Sequence, residues 1–264
     1  MLNQVEQIVR EVAAEVVLPK FRTLAAHEIL EKAAGETVTV ADRASEAVLA
    51  RRLRELLPGA QVVGEEDAAL DPAVLDHLTG EDPVWVIDPI DGTGNFAAGR
   101  EPFGIMVALV RRGQPVLGVI YEPVPDRMSL AEAGAGATVD GQRMRVASGP
   151  MDMATLRGSV LTKYLPAELR ARVQAGLNRI GKALPGHHCA AREYPDVVRD
   201  VQNFALFWRA HAWDHAAGAL LVREAGGVIR RFDGSDYVVG DGRPGLVAAR
   251  DQGTFELVRA ALID

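Results

Sequence analysis

The sequence predicts a mixed α+β and α/β fold, and three observations carry that prediction. Apolar residues at helical spacing open the chain, short apolar runs between glycine turns fill its middle, and strands alternate with helical stretches toward its end. The first half, about residues 1–149, reads as an α+β lobe and the second, about 150–264, as an α/β lobe. A soft boundary at Gly149-Pro150 divides them within a single domain over 1–264.

Val5, Ile8, Val9, Val12, Val16 and Val17 fall on one helical face. Leu49, Leu53, Leu56 and Leu57 repeat that spacing until Pro58-Gly59 stops a second helix. Val62-Val63-Gly64 is a short apolar run that ends in glycine and leads into Glu65-Glu66-Asp67, so the acids sit at a strand terminus. Val84-Trp85-Val86-Ile87 suits a buried strand, with Asp88 at its end. Ile105–Val110 and Val116–Tyr121 flank the turn 111–115 as a hairpin, and the glycine-rich 134–141 region carries further short antiparallel pieces. In the second half Ser159–Leu161, Phe204–Phe207, Val228–Ile229 and Leu246–Ala249 read as strands. Helical stretches fall near 166–178, 195–202, 214–225 and 254–262, with Asp214 opening the third as a cap and Gly226-Gly227 closing it.

Composition narrows the function classes. A chain of 264 residues that is 48% hydrophobic and 25% charged is long enough to bury a large core. Its net charge of −7 argues against broad binding to nucleic acid or anionic membranes. Glu6, Arg10, Glu11 and Glu15 interrupt the amino-terminal apolar pattern, so it is not expected to be a signal peptide, and no run approaches the ~18 apolar residues of a membrane span. The single cysteine, Cys189, precludes an internal disulfide and reads as a buried structural thiol. The cytoplasm is the expected compartment.

The richest chemistry lies in Asp88-Pro89-Ile90-Asp91-Gly92-Thr93-Gly94. Pro89 holds Asp88 extended and favours a turn that brings Asp91 back toward it. At ~4 Å and an effective dielectric of ~20, two carboxylates repel by about 4 kcal/mol, so the pair calls for a cation or a shared proton. Mg²⁺ fits, because it takes one or two carboxylates and leaves positions for substrate phosphate. Gly92 and Gly94 let backbone amides approach an anion, and Thr93 adds a hydroxyl.

In order, three segments resemble the inositol monophosphatase family of metal-dependent sugar and polyol phosphatases. Gly64-Glu65-Glu66-Asp67 is similar to its Gly-Glu-Glu element, Asp88–Thr93 to its Asp-Pro-x-Asp-Gly-Thr signature, and Trp213-Asp214 with Gly226-Gly227 to its third element. Tyr121-Glu122-Pro123 and the Ala133–Ala137 hairpin are also similar to family segments, so the resemblance spans nearly the whole chain. It implies a layered αβαβα sandwich of the inositol monophosphatase and fructose-1,6-bisphosphatase type. It further implies that Glu65, Asp88 and the carbonyl of Ile90 bind one Mg²⁺, and that Asp88, Asp91 and Asp214 bind a second, with room for a third near Glu65. Gly92 and Thr93 would hold the phosphate through their backbone. Asp42, Glu65 and Thr93 form the implied catalytic group, with Thr93 beside the activated water and Asp42 accepting its proton. Asp42, in Val38-Thr39-Val40-Ala41-Asp42, reads equally well as a helix N-terminal cap. Lys32, within Glu31–Gly35, is either the family's mobile-loop lysine or, more ordinarily, a solvated surface residue. Inhibition by Li⁺ and homodimerisation belong to the same resemblance.

Substrate identity is less constrained. Asp91, His188, Arg192 and Phe207 are the candidate substrate contacts. Phe207 stands where inositol-specific relatives carry a glutamate, seven residues before the third-element aspartate, and a phenyl ring accepts no hydroxyl hydrogen bond. Phe207 and Trp208 also read as core of an aromatic strand. His187, His188 and Arg192 are candidates for reading a different leaving group, and Arg209 for a second anion. Gly94 replaces a more usual threonine. His215 reads as packing or a hydrogen-bond support, since Mg²⁺ prefers oxygen. The expected activity is hydrolysis of a small phosphate monoester: an inositol phosphate, sugar or polyol phosphate, or alternatively histidinol phosphate, a 3′-phosphoadenosine nucleotide or fructose 1,6-bisphosphate. A regulatory protein on the same fold, sensing a phosphate ligand or a protein or RNA partner, is the alternative of another class.

Overall fold

The computed structural model describes residues 1–33, 36–147 and 149–264. Ala34 and Gly35 of the Glu31–Gly35 stretch, and Ser148 beside the expected boundary, lie outside them. Helix α1 (Leu2–Val12) continues through a wider turn at Ala13–Val17, and its valines face α2 (Val40–Leu56). Between them β1 (Ile29–Ala33) and β2 (Glu36–Thr39) form an antiparallel hairpin that the sequence pattern did not reveal.

Helices α1 and α2 cover one face of a seven-stranded sheet. In spatial order its strands are β3 (Gln61–Gly64), β4 (Val84–Asp91), β5 (Gly104–Arg111), β6 (Gln114–Glu122), β7 (Arg127–Glu132), β8 (Gly136–Val139) and β9 (Gln142–Met144). A short helix α3 (Glu65–Leu70) follows β3, and α4 (Thr93–Ala97) follows β4. Strand β4 is buried throughout because both of its faces are covered: Trp85 and Ile87 point to the α1–α2 side, Val84 and Val86 to the other.

A second sheet has five strands in the order β11-β10-β12-β14-β13, from β10 (Arg157–Val160), β11 (Lys182–Leu184), β12 (Phe204–Phe207), β13 (Val228–Arg231) and β14 (Leu246–Ala249). Its outer face carries α5 (Ala167–Gly176) and α8 (Gln252–Val258). Helices α6 (Ala190–Val198) and α7 (Ala212–Glu224) fill the space between the sheets, which completes an αβαβα sandwich. Small residues make this middle layer thin. A Cβ on Gly218 would lie 2.1 Å from the Tyr194 ring, so only glycine lets α7 and α6 approach there. Val63, Val86 and Met106 share one core with Tyr194, Ala217, Leu221 and Phe207, so residues from both halves of the sequence pack in a single layer.

Two element boundaries differ from expectation. The helix expected near 195–202 runs from Ala190 to Val198 and carries Pro195 in its interior; its start is set by a tertiary contact to Asp91. The helix that Asp214 was expected to cap begins earlier, with His211 at the cap position and Asp214 inside the first turn. Its carboxylate is therefore directed to the site rather than spent on the helix end.

Candidate metal and phosphate site

Strand β4 builds the centre of the site through an irregularity. Residues three apart on a regular strand face opposite sides, but the β4–β5 register shifts by one between the Asp88–Met106 and Asp91–Gly104 pairs. The extra residue, next to the donor-less Pro89, turns Asp91 to the side of Asp88, and the Ile90 amide donates to Asp88 Oδ1 at 3.1 Å. Asp214 joins them from α7. Carboxylate oxygens of Asp88, Asp91 and Asp214 all lie within 4.8 Å of one another. Glu65 arrives from the neighbouring parallel strand, because Gly64 pairs with Ile87 and α3 begins directly after it.

The electrostatics are those of a cation site. Burial, followed by repulsion from Glu65 and Asp91, pushes the Asp88 and Asp214 carboxyls well above the usual carboxylate range. Burial raises Asp91 to about 6, although the Ala191 amide, donating to its Oδ2 at 2.6 Å, pulls the other way. Glu65 rises to about 7, again chiefly through burial. Such a crowded group of hard oxygen donors, which without a cation holds on to protons, fits a hard divalent cation such as Mg²⁺ that would displace them. Lys32 is not the solvated surface lysine its context suggested. Its Nζ donates to Glu65 Oε1 at 2.5 Å and Glu66 Oε1 at 2.9 Å; burial lowers its pKa, but the two glutamates outweigh that and raise it.

Asp42 is not the N-cap its sequence context offered: Thr39 caps α2 and Asp42 stands at the third helical position, where it also reaches Thr93. Its Oδ2 accepts from the Thr39 amide at 2.8 Å and the Thr39 hydroxyl at 2.5 Å, closing a capping box on α2. Its Oδ1 lies 3.1 Å from the Thr93 hydroxyl, which also reaches the Ile90 carbonyl at 2.9 Å. Burial raises Asp42 to about 6. Gly92 takes a left-handed φ of 82°, and a Cβ there would meet the Pro102 carbonyl at 3.0 Å and the Cys189 side chain at 3.2 Å. Cys189 itself is buried against the Asp91 carbonyl, as expected of a structural thiol.

Glu65, Asp91, Gly92, Thr93, His188 and Asp214 open on one cavity of about 1100 Å³. Phe207 reaches its wall, but its ring is stacked on Tyr194 with centroids 5.3 Å apart and packs edge-on to His215 at 4.9 Å. Arg192 does not line the cavity; it is ion-paired with the buried Glu122. His215 has both nitrogens engaged, Nδ1 with the Tyr194 hydroxyl at 2.6 Å and Nε2 with the Arg209 carbonyl at 2.9 Å, and burial lowers its pKa to about 3. It is a neutral support of the Asp214 turn.

Sequence reading missed Glu46. This buried carboxylate on α2 accepts from the Glu66 and Asp67 amides at 2.8 Å each and thereby anchors the helix that presents Glu65. No local signal marks it, since those amides lie 20 and 21 residues away.

The Inositol monophosphatase family model matches residues 1–262 of this chain. Among curated relatives, the Nus factor SuhB of Escherichia coli K12 is 31% identical over 242 residues, covering 89% of this chain and 86% of that protein. The inositol-1-monophosphatase of Mesorhizobium japonicum is 34% identical over 218 residues, covering 80% and 78%. Among solved structures, an IMPase of Thermotoga maritima superposes with a TM-score of 0.76 at 26% identity over 97% of this chain and 95% of that one. The extragenic suppressor protein suhB of Bartonella henselae gives 0.82 at 24% identity, over 99% and 98%, and shares the fold.

Proposed function

The chain belongs to the inositol monophosphatase family, and on that premise we propose that it is a Mg²⁺-dependent phosphatase that hydrolyses a small phosphate monoester by direct attack of water. The observation that best supports this is the convergence of Asp88, Asp91 and Asp214 within 4.8 Å, beside a cavity wall that contains Thr93. In this reading Glu65, Asp88 and the Ile90 carbonyl would hold one cation, Asp88, Asp91 and Asp214 would hold a second, and Glu65 would face a third, weaker one. Bound cations supply positive charge to the phosphate and lower the pKa of water toward neutrality.

The chain's own groups orient the reactants and move the proton. The amides of Gly92 and Thr93, on the cavity wall, hold the phosphate. Thr93 accepts the proton of the attacking water while passing its own to Asp42 Oδ1, 3.1 Å away. With its pKa near 6, Asp42 is ionised at neutral pH yet basic enough to take that proton. The phosphorus–oxygen bond to the alcohol breaks as the water oxygen bonds to phosphorus, and no covalent phosphoenzyme forms. Among the described residues no helix is long and apolar enough to cross a membrane. A cytoplasmic homodimer inhibited by Li⁺ completes the reading.

The relatives named Nus factor SuhB favour a second reading, in which the same fold acts as a regulatory binding protein. A panel of sugar, polyol, amino-alcohol and nucleotide phosphates, assayed for released phosphate with Mg²⁺ and with EDTA, separates the two. Mg²⁺-dependent turnover of at least one compound is expected. Folded protein that releases phosphate from none of them would leave only the regulatory reading.

A further inference from the structure

Beyond the carboxylates, the cavity wall changes character. Arg209, between β12 and α7, and Lys163, after β10, bracket Tyr164: the guanidinium carbon lies 3.7 Å and the ammonium 4.9 Å from the same ring centroid. All three line the cavity. Two other cations on this wall are matched, whereas the exposed Arg100, which also lines it, has no ion pair among the described residues. Lys32 is held by Glu65 and Glu66, and Arg243 by Asp233 at 2.5 Å. At the Tyr164 ring two cations face one carboxylate, Glu36 of β2, which pairs with Arg209. No ion pair holds Lys163 among the described residues. Opposite charge is therefore undersupplied here, in a protein whose overall charge is −7. The wall also lacks an acceptor for polyol hydroxyls at Phe207, whose ring is locked against Tyr194 and His215.

We propose that this outer subsite binds a second anionic group of the substrate, so that the preferred monoester carries a phosphate or carboxylate in addition to the phosphate that is cleaved. This rests on the phosphatase reading above. Arg209 offers a planar, always-charged fork and Lys163 a mobile point charge, the combination suited to a tetrahedral or planar anion arriving at variable reach. Tyr164 holds the two cations together by its ring face, which keeps them from diverging in the absence of ligand. The anion takes the charge surplus that Glu36 leaves unmatched.

Two matched pairs of substrates test this with Mg²⁺ present: adenosine 3′-phosphate against adenosine 3′,5′-bisphosphate, and glycerol 2-phosphate against 2-phosphoglycerate. The second member of at least one pair should have a kcat/KM about tenfold or more higher, carried mainly in KM, as one charge-assisted contact confers. The pair that shows the effect tells phosphate from carboxylate. Arg209→Gln and, separately, the exposed Lys163→Gln should shrink that ratio severalfold. Because the readout is a ratio within one protein, any general loss of activity cancels, and Lys163→Gln stands in if the Arg209 variant fails to fold. Equal kcat/KM within both pairs overturns the inference while the phosphatase reading stands. A preference that survives both substitutions overturns the assignment to these residues. Failure to hydrolyse any of the four, with turnover elsewhere in the wider panel, overturns this inference alone; failure across the whole panel removes both.

Discussion

Asp88→Asn should make the cation-free protein more stable and the enzyme inactive. Asp88 is buried, and its carboxyl lies within 4.8 Å of those of Asp91 and Asp214. At that separation and an effective dielectric of ~20, each like-charged pair costs about 3 kcal/mol when both are ionised. Proton sharing among the buried acids already relieves part of this, so the net gain from removing one charge is about 2 kcal/mol. Asparagine keeps an oxygen to accept the Ile90 amide and nearly the same volume, so little packing energy is lost. For a chain of this size about 2 kcal/mol is a rise of ~4–8 °C in Tm. Thermal unfolding in EDTA and in MgCl₂ measures it. The wild-type protein should gain about 2–3 kcal/mol from Mg²⁺ at a hundredfold excess over Kd, and the variant should gain much less. Phosphate release should vanish in the variant, whereas a binding module would keep its partner. An Asp88→Asn variant that melts lower than wild type in EDTA and still responds fully to Mg²⁺ would refute carboxylate crowding at this site.

Three further outcomes follow from the same geometry. The cation-free protein should lose stability as pH rises, because burial raises Glu65 from 4.5 to about 7 and Asp91 from 3.8 to about 6. Between those values the folded state binds more protons than the unfolded one, so stability is greatest below about 4 for these groups, falls toward 7 and then levels. Mg²⁺ should flatten that slope in a pH series of melting curves; a slope of the opposite sign in EDTA would contradict the site's electrostatics. Asp42→Asn should lower kcat by about 10²–10⁴ with the Mg²⁺-induced thermal shift retained, since asparagine still accepts from the Thr39 amide at the start of α2 but takes up no proton. Retained kcat would remove Asp42 from the proton path. Glu46→Ala leaves the Glu66 and Asp67 amides without their acceptor, which should cost about 1–3 kcal/mol for each that stays buried and unsatisfied. It should also weaken Mg²⁺ binding through Glu65, and an unchanged affinity in a calorimetric titration would show that α3 needs no such anchor.

Much of this protein is legible along the chain because its chemistry is local there. The apolar run before Asp88, the missing donor at Pro89 and the glycine at 92 mark a buried strand and a turn that brings Asp91 toward Asp88, which the structure realises as a bulge within β4 followed by a left-handed Gly92. Periodic valines and leucines likewise mark α1 and α2, and a boundary shifts where a distant partner sets it, as Asp91 does for α6.

The order and type of the acidic elements, and hence the family, are properties of the sequence by itself, since each element is a short segment whose backbone preferences are set by its own residues. Which side chains meet was decided by the tertiary structure alone. Lys32 on Glu65, Glu46 under α3, Arg209 on Glu36 and Arg192 on Glu122 join residues 20 to 173 positions apart. Such contacts form only once the layers have packed, because burial gives each charge a reason to find a partner and packing determines which one is within reach.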